Sequence, residues 1–444
     1  MERLHFIGVT STYLSIEAFR MAITEAKHGK NVQLYLKLVQ DFASIAPNDP
    51  MATADSEWEE EKCRQVKDEQ DKLEHELKSY KNNLIKESIR VRILQDSLAS
   101  FAHLLYQMGN EDLGHFYFAC GDYSAAGKAY ARMREHCTSI KHIVDLHLRL
   151  VYVSIAQKSW SGVHNQLAKL EGLQIKQEDK PKLEPIVTAT HGLAYMCTGN
   201  AQEAAVRFIQ TAPSYLTLDQ TAGIQWNKEI LTGNDIAVYG GLCALASMNR
   251  SELQSQVLSN NDFRNFLELE PHIRRAISLF CSSKYSACLE ILESYRTDYL
   301  LDIFLAPVVR EFYRAIRTKC IVEYFIPFSC VTLDEMAKRF QTTGEADNIQ
   351  DELLEMISSG CLNARIDLVD RLLISPPTNP RYTAHAEALA MAENYDHQLR
   401  LRLFKMNMLN AGLEIRPSKQ EPRESNIGEG LRDSLRGLGT RIGF

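Results

Sequence analysis

The sequence predicts a mainly α-helical protein: stacked helical hairpins forming an α-solenoid, then three short helices closed by a β-hairpin, then one long C-terminal helix. Three observations carry this. Across residues 93–300 small and aromatic residues recur at offsets that suit paired antiparallel helices. Across residues 320–374 the apolar period changes from helical to alternating. Beyond Pro376 and Pro377 a helical apolar stripe resumes and runs to Leu413.

Residues 1–50 read as a helical hairpin. "SIEAFRMAITEAK" and, after Gly29, "NVQLYLKLVQDFASIA" each carry an apolar stripe, Ile16, Phe19 and Ile23 in the first and Leu34, Leu38 and Phe42 in the second. Residues 51–92 read as one long charged helix, with Glu57, Glu59, Glu60 and Glu61 at its front and Lys86, Arg90 and Arg92 at its back. That polarity complements a helix dipole. Val66, Leu73, Leu77, Tyr80, Leu84 and Val91 form one seam, which either packs on the next helix of this chain or meets a coiled-coil partner.

Residues 93–300 hold the repeats. "LGHFYFACGDYSAAGKAY" sets Leu113, Gly114, Tyr117, Gly121, Tyr123, Ala126 and Tyr130 at tetratricopeptide-like offsets, and "HGLAYMCTGNAQEAAVRF" repeats the pattern with Gly192, Tyr195, Gly199, Ala204 and Phe208. The reason is steric. Small residues let two helices approach while aromatics fill the space beside them. Weaker copies around Trp160, Leu253 and Tyr285 place turns at Gly121, Lys158, Gly199, Asn249 and Ser283, at intervals of 37, 41, 50 and 34 residues. One hairpin cannot bury its own apolar face, so the stack is cooperative.

Residues 301–380 change character. Pro327 ends an apolar helix, and Thr332 with Glu335 opens the next as a capping box ahead of Leu333, Met336, Ala337 and Phe340. A third helix spans residues 349–358, with Gly360 at the left-handed position that follows. Leu362, Ala364 and Ile366 then alternate with polar neighbours, and "RLLIS" returns as a second strand holding Leu372 and Ile374. Three helices closed by such a hairpin make a winged helix.

A winged helix raises nucleic-acid binding, but residues 341–364 contain Glu345, Asp347, Asp351, Glu352 and Glu355 and no Lys or Arg. A helix of that charge is repelled by phosphates, so no nucleic acid is expected as partner. Residues 381–415 predict a last helix with Leu399, Leu403, Met406, Leu409 and Leu413 on one stripe, which either folds back or is met by a partner helix. Residues 416–444 are expected to be disordered, although Leu431, Leu435, Leu438 and Ile442 keep helical spacing.

The remaining sequence narrows the chemistry. Net charge is −7 over 444 residues, and the best apolar run, residues 236–248, is too short to cross a bilayer, so no membrane is expected either. Residues 1–10 lack the apolar core of a signal peptide. None of the ten cysteines forms a CxxC pair, and they read as buried small hydrophobes rather than metal ligands. "GDYSAAGKA" misses the phosphate-loop spacing, and neither HExxH nor a His-x-His pair with a downstream Asp occurs. No catalytic, cofactor or metal residue is assigned.

"DELLEMISSGCLNARID", preceded by "TLDEMAKRF" and by "YLLDIFLAPVVREFYRAIRTKCIVEYFIPF", resembles the PCI domain family shared by the proteasome lid, the signalosome and translation initiation factor three. The upstream run is most similar to the subunit-one family of the COP-nine signalosome, with the paralogous proteasome-lid family second. The likeness covers residues 13–416, and its specific portion is residues 284–374. It implies a non-catalytic scaffold in the complex that removes Nedd8 from cullins and regulates cullin-RING ubiquitin ligases, with the JAMM metalloprotease in another subunit. It also implies other PCI subunits as partners, contact with cullin-RING ligase components, and a place in nucleus and cytoplasm. In that family winged helices line up edge to edge and C-terminal helices gather into a bundle. The expected partner-binding residues are therefore Leu362, Ala364, Ile366, Leu372 and Ile374 on the wing, and Leu399, Leu403, Met406, Leu409 and Leu413 on the last helix.

Overall fold

In the computed structural model, which describes residues 1–90, 96–137, 139–173, 177, 179–218, 220–340, 349–376 and 380–413, the chain opens with helices α1 (Glu2–Thr10), α2 (Ser15–His28) and α3 (Val32–Ile45). The Asn31 side chain caps α3 by accepting from the Leu34 N–H at 3.0 Å. Phe19, Ile23, Tyr35, Leu38 and Phe42 build a small core between α2 and α3. Two expectations change here. Ile16 is 42% exposed, because the buried stripe runs through Ser15, Ala18, Phe19, Ala22, Ile23 and Ala26. Helix α1, which no periodicity announced, buries only Gly8.

The charged helix α4 (Ser56–Arg90) packs on α5 (Asp96–Cys120), its own next helix, with Leu77 and Tyr80 set against Gly109. Leu84 and Val91 of the predicted seam lie outside the described side chains. Hairpins follow: α5 with α6 (Tyr123–Met133), α7 (Ile140–Ala156) with α8 (Trp160–Glu171), and α9 (Lys180–Cys197) with α10 (Ala201–Ile209). The short α11 (Trp226–Glu229) leads to α12 (Gly233–Ser247) and α13 (Arg250–Glu252), which runs into a π-helical turn. Helices α14 (Asn261–Leu267), α15 (Pro271–Cys281), α16 (Tyr285–Ser294) and α17 (Arg296–Leu300) complete the stack before α18 (Val309–Phe325).

Turn chemistry fixes where each hairpin reverses. Gly121, Lys158, Gly199 and Ser283 all take positive φ, at 86°, 55°, 87° and 62°. At Gly121 the chain closes as a Schellman turn, Asp122 N–H to Tyr117 O at 2.9 Å and Gly121 N–H to Phe118 O at 3.1 Å. Asn249 departs from the pattern: its φ is −71°, and it starts α13 through a capping box with Glu252 instead. The small-residue argument holds as geometry. A Cβ on Gly114 would stand 2.4 Å from the Tyr130 ring, and one on Gly192 would stand 2.9 Å from Phe208.

Helix α12 is buried on every side, as its unbroken apolar run predicts, through Ile236, Tyr239, Leu242, Cys243 and Leu245 among others. Its terminal carbonyls need partners in an apolar setting. Lys319 of α18 supplies them, donating to Leu245 O at 2.7 Å and to Met248 O. One continuous core runs from Val144 of α7 to the winged helix, so solenoid and winged helix are a single packed body.

That winged helix adds β1 (Cys330–Thr332), α19 (Leu333–Phe340), α20 (Ile349–Ser358), β2 (Arg365–Asp367) and β3 (Leu372–Ile374). Thr332 accepts from the Glu335 N–H at 3.2 Å, while the Glu335 carboxylate takes Arg339 rather than closing the box. Gly360 has φ of 75°, as expected. The wing is three-stranded, not two, because β1 pairs with β3 in the antiparallel order β1-β3-β2. Gly344, Glu345 and Asp347 lie outside the described residues. A second unit, residues 376–444, contains α21 (Pro380–Asn410). The tail expected to be disordered, with Leu431, Leu435, Leu438 and Ile442, lies outside the described residues. All ten cysteines are free; Cys243, Cys288 and Cys320 are buried, but Cys330 and Cys361 are exposed, against the expectation of burial.

Candidate partner-binding site

The register of the wing decides which backbone groups are free. Leu333 N–H donates to Arg371 O at 2.9 Å and Ser375 N–H to Ser329 O at 2.8 Å, so bonded pairs alternate with unbonded ones and the next is Val331 with Leu373. Leu373 therefore spends its N–H and C=O on β1. Leu372 and Ile374 then bond across to Asp367 and Arg365 of β2. Alternation leaves the N–H and C=O of Ile366 pointing out of the sheet on one side, and those of Cys330 and Thr332 on the other. Each edge is short, which limits its pairing to a few bonds.

This geometry corrects the expected wing residues. Leu372 and Ile374 sit on the central strand, paired on both sides, and cannot form an edge. Leu362 and Ala364, 4% and 7% exposed, are core residues that seat the wing on the helices. Of the five, Ile366 alone lies on an edge that no other described strand pairs, half-buried against the core. Strand β1 was missed because three residues that also start a helix carry no alternation to read. Exposed apolar side chains on the winged helix are Ile326 (67% exposed) and Phe328 before β1, Leu354 on α20, and Leu368 and Val369 (91%) at the wing tip.

The acids of α20 do a local task. Arg317 of α18 grips Glu352 with two bonds, 2.7 Å from Nε and 3.0 Å from Nη2, and Arg314 pairs with Glu355. Such bidentate pairs pin one helix to the other. The third helix is thus clamped to its own scaffold by the charges that would repel phosphate.

Within the second unit, Leu399, Leu403, Met406, Leu409 and Leu413 are 39%, 58%, 58%, 39% and 69% exposed. Leu401 and Phe404, 55% and 64% exposed, form with Met408 another stripe. At 100° per residue the two stripes lie on opposite sides of α21. The second was legible in its steps of three and four but was not singled out. A Schellman turn, Leu413 N–H to Met408 O at 3.0 Å with Gly412 at φ 67°, ends the helix.

A helical-hairpin stack fused to a winged helix, with outer strand edges that no other described strand pairs, is the architecture of a PCI domain. Residues 55–256 match the family described as 26S proteasome subunit RPN7, and residues 292–377 match the PCI domain. The chain is 46% identical over 431 residues to COP9 signalosome complex subunit 1 of Emericella nidulans, covering 95% of this chain and 81% of that protein. It is 35% identical over 411 residues to COP9 signalosome complex subunit 1 of Arabidopsis thaliana, covering 92% and 85%. Similarity to 26S proteasome non-ATPase regulatory subunit 6 of Oryza sativa subsp. japonica is weaker, 24% over 178 residues, or 40% of this chain and 43% of that one. The chain belongs to the COP9 signalosome complex subunit 1 family.

Proposed function

We propose that this protein is a non-catalytic scaffold subunit of the signalosome, the assembly that takes Nedd8 off cullins and so regulates cullin-RING ubiquitin ligases. Strand edges left open at Ile366 and at Cys330 carry the reading, since unpaired edge groups are templates for a neighbouring strand. Neighbouring PCI subunits add their strands there. Helix α21 is apolar on two faces, which suits an interior place in a helical bundle, with Leu399, Leu403, Met406, Leu409 and Leu413 against one set of partner helices.

The JAMM metalloprotease then belongs to another subunit, because this sequence has neither HExxH nor His-x-His with a downstream Asp. Cullin-RING ligase components are reached through the assembled complex, in nucleus and cytoplasm. Nucleic acid is not a partner: α20 lacks any Lys or Arg and its Glu352 and Glu355 are already paired. The match to the RPN7 family keeps the proteasome lid as a second reading. Affinity capture on the full chain followed by native mass spectrometry separates the two. Recovery of PCI subunits with cullins is the expected result, and recovery of proteasome particles without cullins overturns it.

A further inference from the structure

A half-open cavity of about 490 Å³ is lined by Leu34, Phe118, Tyr152, Ile303 and Phe304 and bordered by Glu2 and Arg3 of α1. Helix α1 is nine residues long and buries only Gly8. A helix that short does not hold itself together in water, so its contacts hold it. Leu4 packs on the α2–α3 core and Gly8 lies against the Phe19 ring, while polar contacts tie down the first turns. Tyr123 donates its hydroxyl to Glu2 at 2.7 Å, His5 meets Asp41 at 2.7 Å, and Arg3 donates to the Ile230 carbonyl while its guanidinium stands 3.8 Å from Asp235.

The seat beneath Arg3 selects a cation. Asp235 is largely enclosed, and burial together with the Asp302 charge pushes its carboxyl up, against the opposing pull of Thr232 and Arg3. Asp302 itself accepts from the Tyr239 hydroxyl at 2.6 Å. A carboxylate and an oriented carbonyl suit a guanidinium fork better than a point charge. The Arg3 side chain is 43% exposed, so this bond is open to competition from solution.

We propose that α1 is an exchangeable occupant beside this cavity, its Arg3 filling a cation seat made by Asp235 and the Ile230 carbonyl, and that an arginine-bearing helix of a partner protein competes for the same seat. The cavity flanked by Phe118, Tyr152 and Phe304 receives the apolar residues of the incoming helix.

Hydrogen exchange on the full-length chain tests this with two variants, Arg3→Glu in the strap and Asp235→Asn in the seat, the second leaving α1 itself unaltered. Both are expected to speed exchange at residues 4–10 about tenfold or more while α2 and α3 keep their protection. A fluorescent peptide carrying residues 1–12 is expected to bind the full-length Arg3→Glu chain, to bind the wild type at least about tenfold more weakly, and to lose binding when its own arginine becomes alanine. Unchanged exchange at residues 4–10 in both variants, or no peptide binding to the Arg3→Glu chain, overturns the proposal.

Discussion

Replacing Ile366 with proline separates assembly from folding, and the wing's register sets the magnitudes. The Ile366 N–H leaves β2 on the side away from β3, so proline there deletes no ladder bond. Its side chain is only half-buried, and the isolated chain should lose about 1 kcal/mol. Leu373→Pro is the contrast. Leu373 is fully buried on the central strand and spends its N–H on β1, so that variant loses a ladder bond and core packing, above about 4 kcal/mol. In the complex the order reverses in meaning. At Ile366 the ring removes the middle donor of a three-residue edge and blocks a neighbouring strand, costing about 2 kcal/mol, or about 30-fold in affinity. Titration of the purified variant against co-purifying PCI subunits, beside its thermal unfolding curve, reads both. Wild-type affinity in an Ile366→Pro protein that melts normally refutes edge pairing on β2.

Other consequences follow from single contacts. Lys319→Met leaves the carbonyls of Leu245 in α12 and of Met248, which caps it, without their donor, and should cost about 3 kcal/mol and lower the melting temperature by several degrees; an unchanged melt would contradict the assignment. His147, His164, His191 and His272 are each held below the ordinary imidazole range, chiefly by burial. The unfolded chain therefore binds more protons just below about pH 6.5, so stability is full above that value and declines as pH falls through it. Melting curves from about pH 7.5 to about 5.5 check the sign, and His191→Phe should flatten the slope because burial of the His191 ring outweighs the Glu171 carboxylate 3.4 Å from Nε2. On α21, Leu401→Asp and Leu403→Asp alter opposite faces, and each should weaken capture of neighbouring subunits about tenfold or more. Loss through only one of them would make the seat one-sided.

Much of the fold was legible because it rests on local rules. Gly121, Lys158, Gly199 and Ser283 were read as hairpin turns from their spacing, and all four take the left-handed conformation. Helix α20 spans the predicted residues 349–358 because its stripe, its acidic start and Gly360 agree. What escaped depends on distant parts of the chain. Strand β1 exists only through its pairing with β3, and α1 is held by residues as far away as Ile230 and Asp235. The candidate site suffered from the same gap. Alternation at Leu362, Ala364 and Ile366 announced a strand, but which strand is central depends on that remote partner, and this moved Leu372 and Ile374 off the edge.

Amide hydrogen exchange of the chain alone and within its native complex weighs the account most directly. New protection on assembly should appear at residues 365–367 and along residues 395–413, with the solenoid hairpins little changed. A complex that forms while both segments exchange as fast as in the free chain would contradict assembly through wing and terminal helix.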